Sequence, residues 1–341
     1  MRMRPFPLAS LLVALVLAAS SSAQTPAAQA STADASEGII DLETMVVTGS
    51  QPGPGLWKVS KGDNVLWVMG TLTPLPKGMT WLSRDVEAVL AQADEVIDPP
   101  GLSFDSDVGV VRGALMIPSL LRARKNPDGK TLREVLPAPL YARWSVLKAK
   151  YLGRDGSVEK WRPVFAAQEL YRAAIRKSGL TESGVVGPVV NRLAKQNEIK
   201  RTPAVVKYTI EKPKEIIKEF SASSLGDVDC FDKTLNRLES DLGTMTARAN
   251  AWSIGDIEAL RSLPYDDQNR TCMNAFLETG IAQKRGMDDL PERVEALWLA
   301  KAEAALASNK VTFSTLPVSM LLRRNGYLAK LQAKGYRVEE P

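Results

Sequence analysis

The sequence predicts an α/β protein of the α+β kind: a single domain whose mixed β-sheet is built from N- and C-terminal strands around a large helical middle. Three observations lead there. Apolar, β-branched and aromatic runs bounded by turn residues cluster at the two ends, at Leu56–Gly70, Glu95–Ile97, Val311–Leu316 and Tyr336–Val338. Long stretches between them repeat their apolar residues at helical spacing. The 341 residues are 45% hydrophobic and 24% charged, proportions that exclude a wholly disordered chain and allow a large core.

Arg2 and Arg4 precede an apolar run, Leu8–Ala19, and the small residues Ser21-Ser22-Ala23. A basic start, a short apolar stretch and a small-residue site predict a signal peptide over 1–23, cut between Ala23 and Gln24. The expected location is therefore the periplasm or the exterior. The run is too short to span a bilayer, and no other stretch is long and apolar enough, so no retained transmembrane helix is expected. Residues 24–55 read as a disordered linker, rich in Ala, Ser, Thr and Gln up to Gly38. Its later part has strand propensity at Met45-Val46-Val47. Thr44–Gly49 resembles the TonB box of outer-membrane receptors, which adds a strand to the TonB protein; the alternative is a linker ending in an edge strand. The folded domain is expected over 56–341.

Leu56–Val59 and Val65–Gly70 read as strands joined by the turn residues Lys61-Gly62-Asp63-Asn64. The second is apolar throughout, as in a strand buried on both faces. Thr71–Pro76 leaves the sheet extended, because its prolines bar a helix. Ser83 is placed to cap a helix carrying Val86, Val89, Leu90 and Ala93 on one face. Glu95–Ile97 returns as a strand that Pro99-Pro100-Gly101 stops. Thr131 and Glu134 have capping-box spacing. Helices are expected over 157–178, 185–196, 213–220, 229–250, 266–280, 292–308 and 325–333, with strands at 203–210, 311–316 and 336–338. Asp256 after Gly255 reads as a helix N-cap following a helix-ending glycine.

The chain has no histidine. That excludes Ser-His-Asp hydrolysis, Cys-His proteolysis and every His-ligated zinc or iron site. Its two cysteines, Cys230 and Cys272, lack C-x-x-C spacing, and in an oxidising compartment they predict one disulfide. The net charge of +5 is too small and too spread for a nucleic-acid partner. The densest basic stretch, Arg122, Arg124, Lys125, Lys130 and Arg133, suits anionic lipid head groups, acidic polysaccharide or a solvated loop. The seven Trp, spread over the chain at apolar positions, read as core anchors.

Several segments in order carry a family resemblance. They are Leu56-Trp57-Lys58-Val59, Gly70-Thr71-Leu72-Thr73 with Pro74-Leu75-Pro76, Ala93-Asp94, Trp161-Arg162-Pro163, Trp252-x-x-Gly255-Asp256, and Asn325-Gly326-Tyr327 through Gly335-Tyr336-x-Val338. Over most of Leu56–Pro341 the chain resembles the TraB/GumN family, which includes the Tiki-type metalloproteases. The resemblance implies a metal-dependent hydrolase in which two Gly-x-x-His motifs and nearby acids hold a divalent ion that activates water. Here the first motif has Gly70 but carries Thr73 at its histidine. Placing the ending on the family pattern puts Pro317 at the second glycine and Met320 at the second histidine. After the early strand the family's Glu gives way to Asp98-Pro99-Pro100.

A hydroxyl and a thioether are poor ligands for a hard divalent ion. The expectation is therefore an exported accessory protein that has lost the hydrolase activity, needs no cofactor, and binds a peptide, glycan or envelope protein in the old cleft. The alternative is a divergent peptidase-like hydrolase with carboxylate ligands, for which Asp94, Glu95 and Asp98 are the metal candidates. If they are not ligands, Asp94 caps a turn while Glu95 and Asp98 face solvent.

Overall fold

Alternation along two adjacent segments sets the sheet. In β2 (Leu56–Lys61) and β3 (Asn64–Thr71), Trp57, Val59, Leu66 and Val68 point to one face, and Leu56, Trp67 and Met69 to the other. Both faces are covered, which is why β3 is apolar throughout. The computed structural model describes residues 50–106, 108–222, 227–263, 272–273, 276–277 and 280–341. These fall in one unit, Thr44–Pro341. The expected signal peptide, the TonB-like segment and most of the expected 266–280 helix lie outside the described residues.

The remaining strands are β1 (Ser50–Gln51), β4 (Leu75–Pro76), β5 (Thr80–Trp81), β6 (Glu95–Ile97), β7 (Gly101–Ser106), β8 (Leu180–Thr181), β9 (Lys200–Thr202), β10 (Val205–Ile210), β11 (Val311–Pro317) and β12 (Arg337–Glu339). Six of them form the central sheet in the order β12-β2-β3-β11-β6-β9. β2 pairs antiparallel with β12 and β3, while β11 runs parallel to both β3 and β6, and β9 runs parallel to β6. The mixed sheet thus joins both ends of the chain. On one face, the helix Leu290–Ser308 brings Trp298 and Leu299 onto Trp57, Leu66 and Leu316. On the other, Val86, Val190 and Trp252 from three helices meet Met69, Val96 and Phe313.

The helical middle has its own core. The helices Ala138–Tyr151, Pro163–Lys177 and Asp227–Ser240 enclose Trp144, Leu170, Tyr171 and Phe231. The Cys230–Cys272 bond leaves the last of these. Trp57, Trp144, Trp252 and Trp298 are all fully buried. Among the described residues no helix is long and apolar enough to cross a membrane.

Several expected elements differ in a physically intelligible way. The helix expected over 157–178 is broken. A 3-10 turn, Ser157–Lys160, is followed by extended Trp161 and Arg162, because Pro163 holds its predecessor out of the helical region. The expected 229–250 helix is two helices, Asp227–Ser240 and Leu242–Ile254, meeting at Asp241, whose carboxylate pairs with both Arg237 and Arg248. The expected 203–210 strand begins at Val205; β9 lies just before it, in the other sheet. β6 does end before Pro99 and Pro100, and a further strand that the sequence reading did not include, β7, starts at Gly101 and pairs in parallel with β10. Ser83 stands before its helix without capping it, its hydroxyl donating instead to Glu87 at 2.5 Å. Asp256 does cap, accepting from the Ala259 N–H at 2.9 Å, and Thr131 with Glu134 does form a capping box.

Candidate functional site

Parallel pairing of β3 with β11 sets Leu316 beside Gly70 and Pro317 beside Thr71. The segments Gly70–Thr73 and Pro317–Met320, the second a strand end running into a short helix, therefore leave the same carboxyl edge side by side, where ligands of open parallel sheets are commonly held. Gly70 is closely packed. A Cβ there would stand 3.1 Å from the Val318 methyl and 3.4 Å from the Trp57 ring. Its carbonyl accepts a hydrogen bond from the Trp252 indole at 3.0 Å. Trp252 opens the Trp-x-x-Gly-Asp turn, which Gly255 closes at φ +76°, where a Cβ would stand 3.1 Å from the Gly53 carbonyl oxygen. Two of the resemblance segments, far apart in the chain, thus converge on this edge.

Thr73 is half-buried and precedes Pro74 across a cis peptide bond, with Gly184 facing its methyl. Pro317 stands before the short helix Val318–Leu321, and half-buried Met320 packs against the cluster around Trp298 and Tyr327. The Ser319 hydroxyl oxygen is buried and has no hydrogen-bond partner among the described residues.

Asp94 and Glu95 lie further down the sheet, whereas Asp98, the residue after the Ile97–Ser314 pair, closes β6 near the same edge. Glu95 is level with Thr312, four residues before the Gly70–Leu316 rung, which is about 13 Å along the strands. Asp94 accepts from the backbone N–H groups of Lys310 and Val311, at 2.9 and 3.0 Å, and so pins the start of β11. Asp98 pairs with the Arg201 guanidinium. Glu95 does not face solvent. Its strand lies between β11 and β9, and its carboxylate takes hydrogen bonds from Thr202, from Asn309 at 2.6 Å and from the Lys200 ammonium at 3.2 Å.

Among the described residues no three His, Cys, Asp or Glu gather as a metal site. A hydroxyl, a packed thioether and dispersed, individually bonded carboxylates do not fit the hard divalent ion that the resemblance implies.

Burial works to raise the Glu95 carboxyl, but the bonds from Thr202, Asn309 and Lys200 outweigh it and hold it below the ordinary 4.5. Its contribution to stability is therefore present above the unfolded-state value and is lost as pH falls through the lower folded one. Glu95→Gln should flatten this acid limb of a stability–pH curve measured by urea unfolding. A limb unchanged in the variant would remove Glu95 as its source.

Sequence reading did not find two apolar cavities. One, of about 510 Å³, lies among Phe104, Ile210, Ile216, Met273, Phe276 and Met287. The other, of about 440 Å³, adds Met116, Leu120, Phe165 and Phe220 to the shared Ile210, Ile216 and Phe276. Their walls come from segments spread over much of the chain, each with an ordinary helix or strand pattern, so no local signal points to them.

The two-segment carboxyl edge, a mixed sheet joining both termini and the inserted helical core define an α/β protein built around a β3–β11 parallel pair. The chain belongs to the TraB/PrgY/gumN family, whose model matches residues 55–340. No curated protein and no solved structure matches it.

Proposed function

We propose that this family member is an exported, non-catalytic binding protein of the cell envelope, which holds a peptide, a glycan or an envelope protein at the carboxyl edge formed by Gly70–Thr73 and Pro317–Met320. The observation that carries the reading is the composition of that edge. Thr73 and Met320 occupy the positions where the family resemblance implies imidazoles, in a chain without histidine. The acids that could replace them are spent on β6, β9 and β11. What remains there is neutral and polar: the half-buried Thr71 and Thr73. Such groups recognise amides and sugar hydroxyls and do not activate water.

The test uses Gln24–Pro341, stripped with chelator and melted with Mn, Co, Zn or Mg. An ion at about 100 times its dissociation constant would stabilise the native state by about 2.7 kcal/mol. No shift and no cleavage of an unstructured peptide are expected. A saturable shift with one ion, together with cleavage lost in Asp94→Asn, Glu95→Gln or Asp98→Asn, would overturn the reading in favour of a carboxylate-based hydrolase.

A further inference from the structure

The helix Val110–Ala123 presents apolar side chains to solvent as well as to the protein. Its inner side is ordinary: Met116 and Ala123 are buried, and Met116 lines the smaller cavity beside the helix Pro213–Ala222. Its outer side is not. Leu115 is 75% exposed, Ile117 52% and Leu121 57%, Ala114 and Pro118 are exposed too, and Leu120, 52% exposed, stands at the border where it also lines the cavity. Residues 114, 117, 118 and 121 recur at helical spacing, so they form one stripe. A single exposed leucine means nothing, but four large ones on one helix are a contiguous apolar face, which marks an interaction surface.

The charges around this face select its partner. From Val108 to Pro127 the chain has no Asp or Glu, and it has Arg112, Arg122, Arg124 and Lys125. Arg122 is exposed, its Nε reaching back to the Pro118 carbonyl at 3.4 Å, so it lies along the outer side of the last turn. Arg124 is held flat on the Trp161 ring, 3.2 Å from its centre. Lys125, Lys130 and Arg133 follow, all exposed, and like Arg122 they make no ion pair among the described residues. An apolar helical face bordered by unpaired cations is the pattern of a helix that lies in a membrane interface, apolar side among the acyl chains and cations on the phosphates. At 14 residues the helix is about 21 Å long, short of the roughly 30 Å hydrocarbon core, so it lies along a bilayer and does not cross it.

We propose that the Val110–Ala123 helix docks the protein onto an anionic lipid surface, with Ile117 and Leu121 in the acyl boundary and Arg122 and Lys125 on the headgroup phosphates. This surface is separate from the carboxyl edge, and the proposal does not depend on what that edge binds.

The test is co-sedimentation of Gln24–Pro341, which lacks the apolar run Leu8–Ala19, with vesicles of phosphatidylcholine alone or mixed with phosphatidylglycerol. Binding should be at least about tenfold stronger to the anionic vesicles and should weaken steeply between about 0.05 and 0.5 M salt. Ile117→Ser with Leu121→Ser should abolish it. Arg122→Gln with Lys125→Gln should weaken it by about tenfold or more. Both pairs are on exposed positions and should melt like the parent, which separates lost docking from lost folding. Failure of the parent to bind anionic vesicles, or equal binding by the Ser variant, would overturn the proposal. So would a concentration-dependent dimer, abolished in the Ser variant and formed without vesicle binding, since the face would then be an interface between copies.

Discussion

Replacing Arg162 with Ala should lower the unfolding free energy by about 3–5 kcal/mol, as removal of one partner from a buried ion pair does. Arg162 is 2% exposed and is the residue that Pro163 holds extended between a 3-10 turn and a helix. Its Nε donates to Asp227 at 2.7 Å, an Nη donates to the Phe220 carbonyl, and the guanidinium lies over the Phe220 ring. Burial pushes the Asp227 carboxyl above its ordinary range, against the pull of this guanidinium. Without Arg162 the carboxyl rises further. A group raised in this way is tolerated while protonated and becomes costly as pH climbs through its folded value. The defect of Arg162→Ala in urea unfolding should therefore be largest at neutral pH and shrink toward acid. Arg162→Met combined with Asp227→Leu should recover much of the loss, because no charge then remains buried. A single variant as stable as the parent at neutral pH would show that the pair is not buried in solution.

Loss of the Cys230–Cys272 bond is the second large effect. It links residues 42 apart, and in the chain-entropy account a loop of that length restricts the unfolded state by about 4 kcal/mol. Cys230 is buried in the helix Asp227–Ser240, three residues beyond Asp227 and so one turn from the Arg162–Asp227 contact. Cys230→Ser with Cys272→Ser, or reduction of the parent, should lower the urea midpoint. It should also steepen the dependence on urea, because the unlinked unfolded chain exposes more surface. A loss under about 1 kcal/mol would mean that packing of the helical core already supplies the restraint. Since the bond and the ion pair meet on one helix, the two losses need not add.

Much of the architecture was legible in the chain. Uninterrupted apolarity at Val65–Gly70 marked a strand covered on both faces, and the matching runs at the C-terminus marked its partners. The capping box at Thr131 and the cap at Asp256 were readable because they are local, set within four residues. The misreadings share a cause. Pro163 and Asp241 interrupt helices whose apolar pattern continues unbroken past them, and β7 exists only because β10 lies beside it. Glu95 looked like a surface acid because sequence shows neither β9 nor Asn309 closing over it.

By itself the sequence determined the absence of imidazole chemistry, the single disulfide pair, the mixed sheet joining both termini and membership of the TraB/PrgY/gumN family. All of these rest on residue identity or on patterns a few residues long. The tertiary structure alone decided that Thr71 and Pro317 stand side by side and that Asp94, Glu95 and Asp98 serve the sheet. It alone left Ser319 without a partner, and left the outer face of Val110–Ala123 uncovered. Periodicity states which residues share a face, but what covers that face depends on contacts between segments far apart in the chain.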